Sequence, residues 1–574
     1  MITKNILPAW LRHYQGKNLS HDAMGGIIFT ILVIPQSLAY ALLAGLPPHF
    51  GLYVSIFPVI AYALLGSSMV QAVGPVAITA IMTYSVLSPI AAPSSSEYIM
   101  LSASLAILSG TILLLFGWLR FGFLSQLLSR PVISGFISGA AFLIIISQLK
   151  SLLGISYPSE DIGEMFSVLI QPLSYSHGMT ITIGLTSFLV LILARYHLLS
   201  LLVRFGLGAT RSAFIVRIIP LLIIFLATIL VVYFDLDTSS DVAVIGNLTE
   251  GLPSFTFFLP SYDSVKTLAV PALLMALIGM VQGISIAESL AIKRQERIDP
   301  NAELVGLGAS NIVAAFYGGM PVGGGISRSA VNVASGAQTP LSGIISAFIM
   351  ILIVAGASHW LARLPLTVLA ANIMVAAISM VDIKAFRHAW LYDRADALAL
   401  LGTACGVIVL GLEGGIVLGV SLSLSTLLYR VSIPHIAVIG RIAGTEHFRN
   451  VVRHKVETLP GVLFLRIDES LFFGNLNAVE TRISSEMAKV KDLTDIVLVM
   501  NAVNMVDTTA MEVFTEFNRD LSERGIRLHL AEIKGPIHDR LRHSPLLKAL
   551  SGNVFFTANR AFEELAATKA TRNK

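Results

Sequence analysis

The chain has 574 residues, of which 55% are hydrophobic and only 13% charged, whereas a soluble globular protein carries roughly 25% charged residues. That balance excludes an ordinary soluble enzyme or binding module over most of the length. A net charge of +4 and a pI near 9.0 would suggest nucleic acid in a soluble protein, but here the basic residues sit in loops between apolar runs, so membrane orientation explains them and no nucleic-acid partner is expected.

A helix needs about 20 apolar residues to cross the hydrocarbon core. Residues 1–16 carry no apolar stretch before a cleavage site, so they do not read as a signal peptide. Candidate spans then follow at residues 24–44, 51–65, 73–90, 100–119, 123–149, 178–194, 214–234, 267–291, 304–317, 318–335, 341–360, 366–380, 395–410 and 414–429. By the span-length rule this is an all-α polytopic domain of about 14 transmembrane segments. The single cysteine, Cys405, lies inside an apolar run, so no disulfide within the chain, thiol metal site or cofactor is expected.

Loop charge supports an even number of spans. Arg195, Arg204, Arg211 and Arg217 share one loop, Lys293 and Arg297 another, Arg120 and Arg130 a third, and Lys384 and Arg387 a fourth. Asp235, Asp237, Asp241, Glu250 and Asp263 mark an acidic stretch, and Glu160, Asp161 and Glu164 mark another. Cytoplasmic loops are rich in Lys and Arg. Every basic loop falls inside if the N-terminus is cytoplasmic, and the chain then returns to the cytoplasm at Arg430. A multi-pass protein of the inner (plasma) membrane is expected, with both termini cytoplasmic. The external loop also carries the sequon Asn247, Leu248, Thr249.

Two interruptions stand out. Ala72, Val73, Gly74 and Pro75 precede one short apolar run. Pro321, Val322, Gly323, Gly324 and Gly325 precede the other. They fall on the third and tenth elements, which are matching positions in two halves of seven. Paired Gly/Pro-broken segments of this kind point to a 7+7 inverted-repeat transporter. Irregular backbone at membrane depth must be buried in protein or line a cavity. Two opposed helix N-termini near the midplane, each with free N–H groups and partial positive charge, suit an anion. The plainer alternative is a pair of simple kinks. Gly135 with Gly139, and Gly411 with Gly415 and Gly419, are small-residue spacings that let helices approach closely.

The pattern changes near residue 433. Residues 461–467, 496–500 and 526–531 read as strands, and residues 475–490, 508–524 and 536–546 as helices. This alternation gives an α/β domain. The expected division is 1–432, a transmembrane transport domain, and 433–574, a cytoplasmic domain.

Residues 34–53 (IPQSLAYALLAGLPPHFGLY) closely resemble the first-helix signature of the SulP sulfate permeases, the solute carrier 26 group in animals. Residues 73–76 (VGPV) look like the family's third-helix motif, and residues 325–332 (GISRSAVN) like its tenth. The tail, with Asp507, Thr508 and Thr509 after a buried strand, is similar to a STAS domain. The resemblance implies a core-and-gate fold, a homodimer in the lipid bilayer, and an anion site between the third and tenth helices.

Arg328 follows the glycine break in the first turn of a broken helix. A charge at bilayer depth costs on the order of 3 kcal/mol and generally has a functional partner. A guanidinium can hold an oxyanion by two hydrogen bonds, although a structural ion pair is the alternative. Ser327 can donate a hydroxyl, and the resemblance places such a serine against the substrate. Val76 and Ala77 would contribute backbone N–H groups from the opposed half-helix, on the family's authority alone. Gln36 either satisfies the carbonyl that Pro35 frees or contacts substrate, and the resemblance places it in the pocket with Tyr40. At Gln282 the chain departs from the pattern, since many relatives carry an acid there. Glutamine does not titrate, so H⁺ or Na⁺ coupling at this position is in doubt. Glu288 is the other candidate for coupling. Thr508 or Thr509 is a candidate for phosphorylation, with helix capping as the plainer role.

These readings favour a secondary transporter of a small anion, sulfate first, working by alternating access. Bicarbonate, a dicarboxylate, or an uncoupled exchanger or channel are the alternatives. A membrane-anchored signalling protein would need an intact nucleotide or phosphorylation site in the tail. A membrane enzyme would need convergent His, Asp or Glu side chains at depth, and the spans hold almost none.

Overall fold

In the computed structural model, residues 8–126, 129–155, 177–246, 251–356 and 361–572 are described. The acidic loop of Glu160, Asp161 and Glu164 and the sequon at Asn247 lie outside them. The chain divides into two compact units, Met1–Ser423 and Leu424–Lys574.

The first unit is helical. Its elements are α1 (Leu19–Leu43), α2 (Phe57–Leu65), β1 (Val73–Gly74), α3 (Ala77–Leu87), α4 (Ser96–Trp118), α5 (Arg130–Leu153), α6 (Gly178–Leu193), α7 (Ala209–Tyr233), α8 (Tyr262–Arg294), α9 (Pro300–Tyr317), β2 (Gly323–Gly324), α10 (Ile326–Ala334), α11 (Leu341–Gly356), α12 (Leu366–Ile378), α13 (Ile383–Tyr392) and α14 (Arg394–Ser432). Among the described residues, seven helical runs are long and apolar enough to cross a membrane, and four shorter apolar ones accompany them. The last two expected spans form one run, α14, which breaks at Gly411 with φ 77° and ψ 178°. Only glycine adopts that conformation readily.

Packing sorts these helices into two bundles. In one, α4 packs on α8 and α9, α9 on α2, and α11 on α1 and α2. In the other, α12 packs on α5 and α6, and α7 on α6 and α12. The small residues permit the close crossings. A Cβ on Gly135 would stand 2.2 Å from the carbonyl oxygen of Leu400, and one on Gly139 2.8 Å from that of Ala404. Gly415 and Gly419 do the same between the halves of α14, facing Val407 and Thr403.

In the second unit, a six-stranded mixed sheet has the order β4 (Phe448–Asn450), β3 (Ile436–Arg441), β5 (Val462–Ile467), β6 (Asp495–Val499), β7 (Arg527–Ala531), β8 (Val554–Phe555). Strands β5 to β8 are parallel, and β3 runs antiparallel to β4 and β5. Alternate side chains point to opposite faces of a strand. Accordingly Ile496 and Leu498 join one apolar cluster with α15 (Leu476–Met487), α16 (Thr508–Glu523) and α17 (Gly535–Leu541). Val497 and Val499 join the other, beneath α18 (Ala558–Arg572). The three expected strands and three expected helices are present, shifted at their ends. Strands β3, β4 and β8 and helix α18 were not anticipated. Strands β4 and β8 are three and two residues long, too short for a period to show.

Candidate functional site

The two interruptions meet. β1 and β2 pair antiparallel, with Val73 opposite Gly324 and Gly74 opposite Gly323. Helices α3 and α10 start from this short ladder, capped at Val76 and Gly325 without any side-chain hydrogen bond. Their first-turn N–H groups are therefore offered to whatever lies between them.

Irregular backbone at this depth needs partners, and isolated polar side chains from the surrounding helices supply them. Asn311 of α9 bonds Val322 twice, at 3.0 Å to its carbonyl and at 2.9 Å from its N–H. Asn332 donates to the carbonyl of Val70 at 3.1 Å, and the Ser329 hydroxyl accepts from the N–H of Ala72 at 2.9 Å. Gln282 of α8 donates to the carbonyl of Gly324 at 3.2 Å. Two buried carboxylates hold the adjoining turns. Glu303 accepts from Tyr62 at 2.6 Å, from Ser67 at 2.9 and 2.8 Å, and from the N–H of Ser68 at 2.6 Å. Asp22 accepts from the N–H groups of Gln338 and Thr339 at 2.7 and 2.9 Å, and from the Thr339 hydroxyl at 2.7 Å. Sequence reasoning missed Asn311, Ser329, Asn332, Glu303 and Asp22. The signal for Asn311, Glu303 and Asp22 was a polar or acidic group beside or within an apolar run, and Ser329 and Asn332 lay inside the motif at residues 325–332 without a role of their own.

Arg328 is only 4% exposed. Its Nη2 donates to the carbonyl of Pro75, and its Nη1 has no partner among the described residues. No carboxylate pairs with it among the described residues, so the ion-pair alternative is not what the fold contains. The guanidinium lies between two glycines. A Cβ on Gly74 would stand 2.7 Å from Nη1, and one on Gly325 2.8 Å from Nε.

A cavity of about 890 Å³ opens beside this crossing. Gln36 and Tyr40 of α1, Val76, Ala77, Gln282, Glu288, Ser327 and Arg328 all line it. Among the described residues Gln36 makes no hydrogen bond, so its amide does not serve the carbonyl that Pro35 frees there. Ser285 and Ser289 extend the lining along α8, while Arg130, Ser134 and Asp382 enter from the other bundle. Ser134 Oγ is buried without a partner among the described residues.

Thr508 and Thr509 lie elsewhere, exposed at the start of α16. The cap of that helix is Asp507, which accepts from the N–H of Ala510 at 2.8 Å and of Phe473 at 2.9 Å. The capping role considered for the threonines therefore falls to the preceding aspartate.

A double bundle of apolar helices, with two broken helices meeting head to head beside a cavity, defines a multi-pass membrane protein. Residues 19–403 match the model of the sulfate permease family, and residues 453–561 match that of the STAS domain. The chain belongs to the sulfate permease family. It is 33% identical to a probable sulfate transporter of Mycobacterium tuberculosis over 96% of both chains. It is 31% identical to the chloroplastic sulfate transporter 4.1 of Arabidopsis thaliana, covering 95% of this chain and 80% of that one. Its fold is that of the murine solute carrier 26 family member A9 anion transporter in the inward-facing state, with a TM-score of 0.87 at 20% identity over 98% and 94% of the chains. The transmembrane domain of a cyanobacterial bicarbonate transporter, BicA, matches with a TM-score of 0.60 at 22% identity over 71% and 98%.

Proposed function

We propose that the protein is a secondary transporter of small inorganic anions, sulfate first, working by alternating access between its two bundles. One observation carries this reading. The uncapped N-termini of α3 and α10 converge beside Arg328, a buried guanidinium with no carboxylate partner among the described residues, at the wall of a cavity. A fixed positive charge with free N–H donors in a low-dielectric setting favours an anion over a cation or a neutral solute. Relatives named sulfate transporters, aligned over nearly the whole chain, support sulfate as the anion.

Within this reading the anion is held by Ser327, by the N–H groups of Val76 and Ala77, and by the field of Arg328, with Gln36 and Tyr40 closing the pocket. Residues 1–432 act as the transport domain and 433–574 as a cytoplasmic STAS domain, in a homodimer in the inner (plasma) membrane with both termini cytoplasmic. Thr508 and Thr509, exposed at a helix start, are accessible to phosphorylation.

A second reading concerns coupling. Gln282, bound to the Gly324 carbonyl, does not ionise, which favours exchange or uniport over symport with H⁺ or Na⁺ at that position. Radiolabelled sulfate uptake into proteoliposomes, with and without pH or Na⁺ gradients, tests both. Uptake that Arg328→Ala abolishes and that ignores the gradients is expected. Absence of sulfate flux where bicarbonate or succinate moves overturns the substrate.

A further inference from the structure

Besides Arg328, four charged residues line the cavity, and they are divided evenly between the bundles. α8 supplies Glu288 and Lys293. The other bundle supplies Arg130, the first residue of α5, and Asp382, in the turn between α12 and α13. Each side of the opening thus carries one acid and one base. All four are exposed, and none forms an ion pair among the described residues. The neighbouring Arg294, by contrast, is fully engaged with Glu296 and with the carbonyls of Ala337 and Gln338. Arg130 and Lys293 sit at helix ends, where spanning helices meet water, so the four mark the mouth of the cavity and not its floor.

Alternating access, on whose reading this inference rests, requires the mouth to close by motion of one bundle against the other. Asp382 moves with α5, because its N–H reaches the Ser138 hydroxyl at 3.5 Å and α12 packs on α5. Glu288 and Lys293 belong to one continuous helix of the opposite bundle. Rigid-body transitions of this kind exchange one set of interface ion pairs for another. We propose that Glu288 and Lys293 close against Arg130 and Asp382 as a two-pair ionic gate, sealing the cavity mouth in the state opposite to this one. In the open state the four charges are hydrated and self-neutral on each side. In the closed state Arg130 meets Glu288 and Lys293 meets Asp382. The other diagonal would bring like charges together, so the pattern also fixes the register of closure. These four are positioning residues. They set the equilibrium between states and do not hold the anion.

The test uses the full chain in proteoliposomes. Lys293→Asp and Asp382→Lys are each expected to lower sulfate uptake about 10-fold, and the double exchange to restore it to within about 3-fold. Because Asp382 also caps the N–H of Ala385, a second exchange, Arg130→Glu with Glu288→Arg, is measured in parallel. Recovery in either exchange supports the gate. Failure of both double exchanges to recover overturns it. Sulfate-dependent thermal stabilisation of the wild type, and its loss in Arg328→Ala, is recorded separately. Its absence in the wild type would count against the anion cavity itself and so is distinguishable from failure of the gate.

Discussion

The guanidinium of Arg328 lies against the backbone of Gly74, close enough that a single methyl group at Gly74 would stand 2.7 Å from Nη1. Residue 74 also has φ +153°, in a region that L side chains rarely adopt. Gly74→Ala is therefore expected to displace the arginine and strain β1 together. Sulfate uptake should fall more than about 10-fold while the protein still inserts and purifies as a folded species, since the strain is of order 1–3 kcal/mol. Uptake equal to the wild type would show that Arg328 does not need this seat.

Arg328→Lys separates charge from geometry. Lysine keeps the charge but presents a point donor in place of a planar fork. KM for sulfate is expected to rise about 10-fold or more in Arg328→Lys, whereas Arg328→Ala leaves no measurable uptake. Equal KM values for arginine and lysine would show that the field of Arg328 does not depend on the guanidinium's contact with the Pro75 carbonyl.

Gln282 donates to the Gly324 carbonyl at 3.2 Å. A carboxyl can make that bond only when protonated. Gln282→Glu is thus expected to convert pH-indifferent uptake into uptake that falls as pH rises and the new carboxyl ionises. Initial rates between pH 5 and 8, compared with the wild type, measure it. A flat profile in Gln282→Glu would mean that the contact does not control transport.

Glu303 accepts four hydrogen bonds and is fully buried. Glu303→Gln places an NH₂ donor against N–H and O–H donors. The expected loss is about 1–3 kcal/mol, seen as a lower melting temperature of the membrane unit without sulfate. Unchanged melting would mean that the turn at Ser67 and Ser68 finds other partners.

In the STAS domain, Asp495 lies at the start of β6. Burial alone would raise its carboxyl, but hydrogen bonds from His529 and Thr494 and the charge of Arg527 outweigh this and hold it at about 2. An unfolded aspartate titrates near 3.9. A depressed carboxyl stabilises the fold fully above the unfolded value, and that contribution disappears as pH falls through about 2. Asp495→Asn is expected to lower the melting temperature of this domain at pH 7. The difference from the wild type should shrink below pH 4. A gap that persists at pH 2 would assign the effect to packing.

The sequence alone determined a good deal. Apolar runs of spanning length, basic and acidic loops, and the change of composition near residue 433 follow from hydropathy and charge, which are local properties. The Gly/Pro breaks at Gly74 and Gly323 were legible for the same reason, since they interrupt an apolar period. Buried strands β5, β6 and β7 were legible as short apolar runs between helical ones. The role of Asn311, Asn332, Asp22 and Glu303 was not, because a polar group in a membrane segment says that a partner exists but not which one. Only the tertiary structure brought Gly74 to Arg328 across 254 positions in the chain, and gathered Glu288, Lys293, Arg130 and Asp382 around one cavity. Those relations depend on how β1 pairs with β2 and how the bundles face each other, and such long-range pairings leave no period in the sequence.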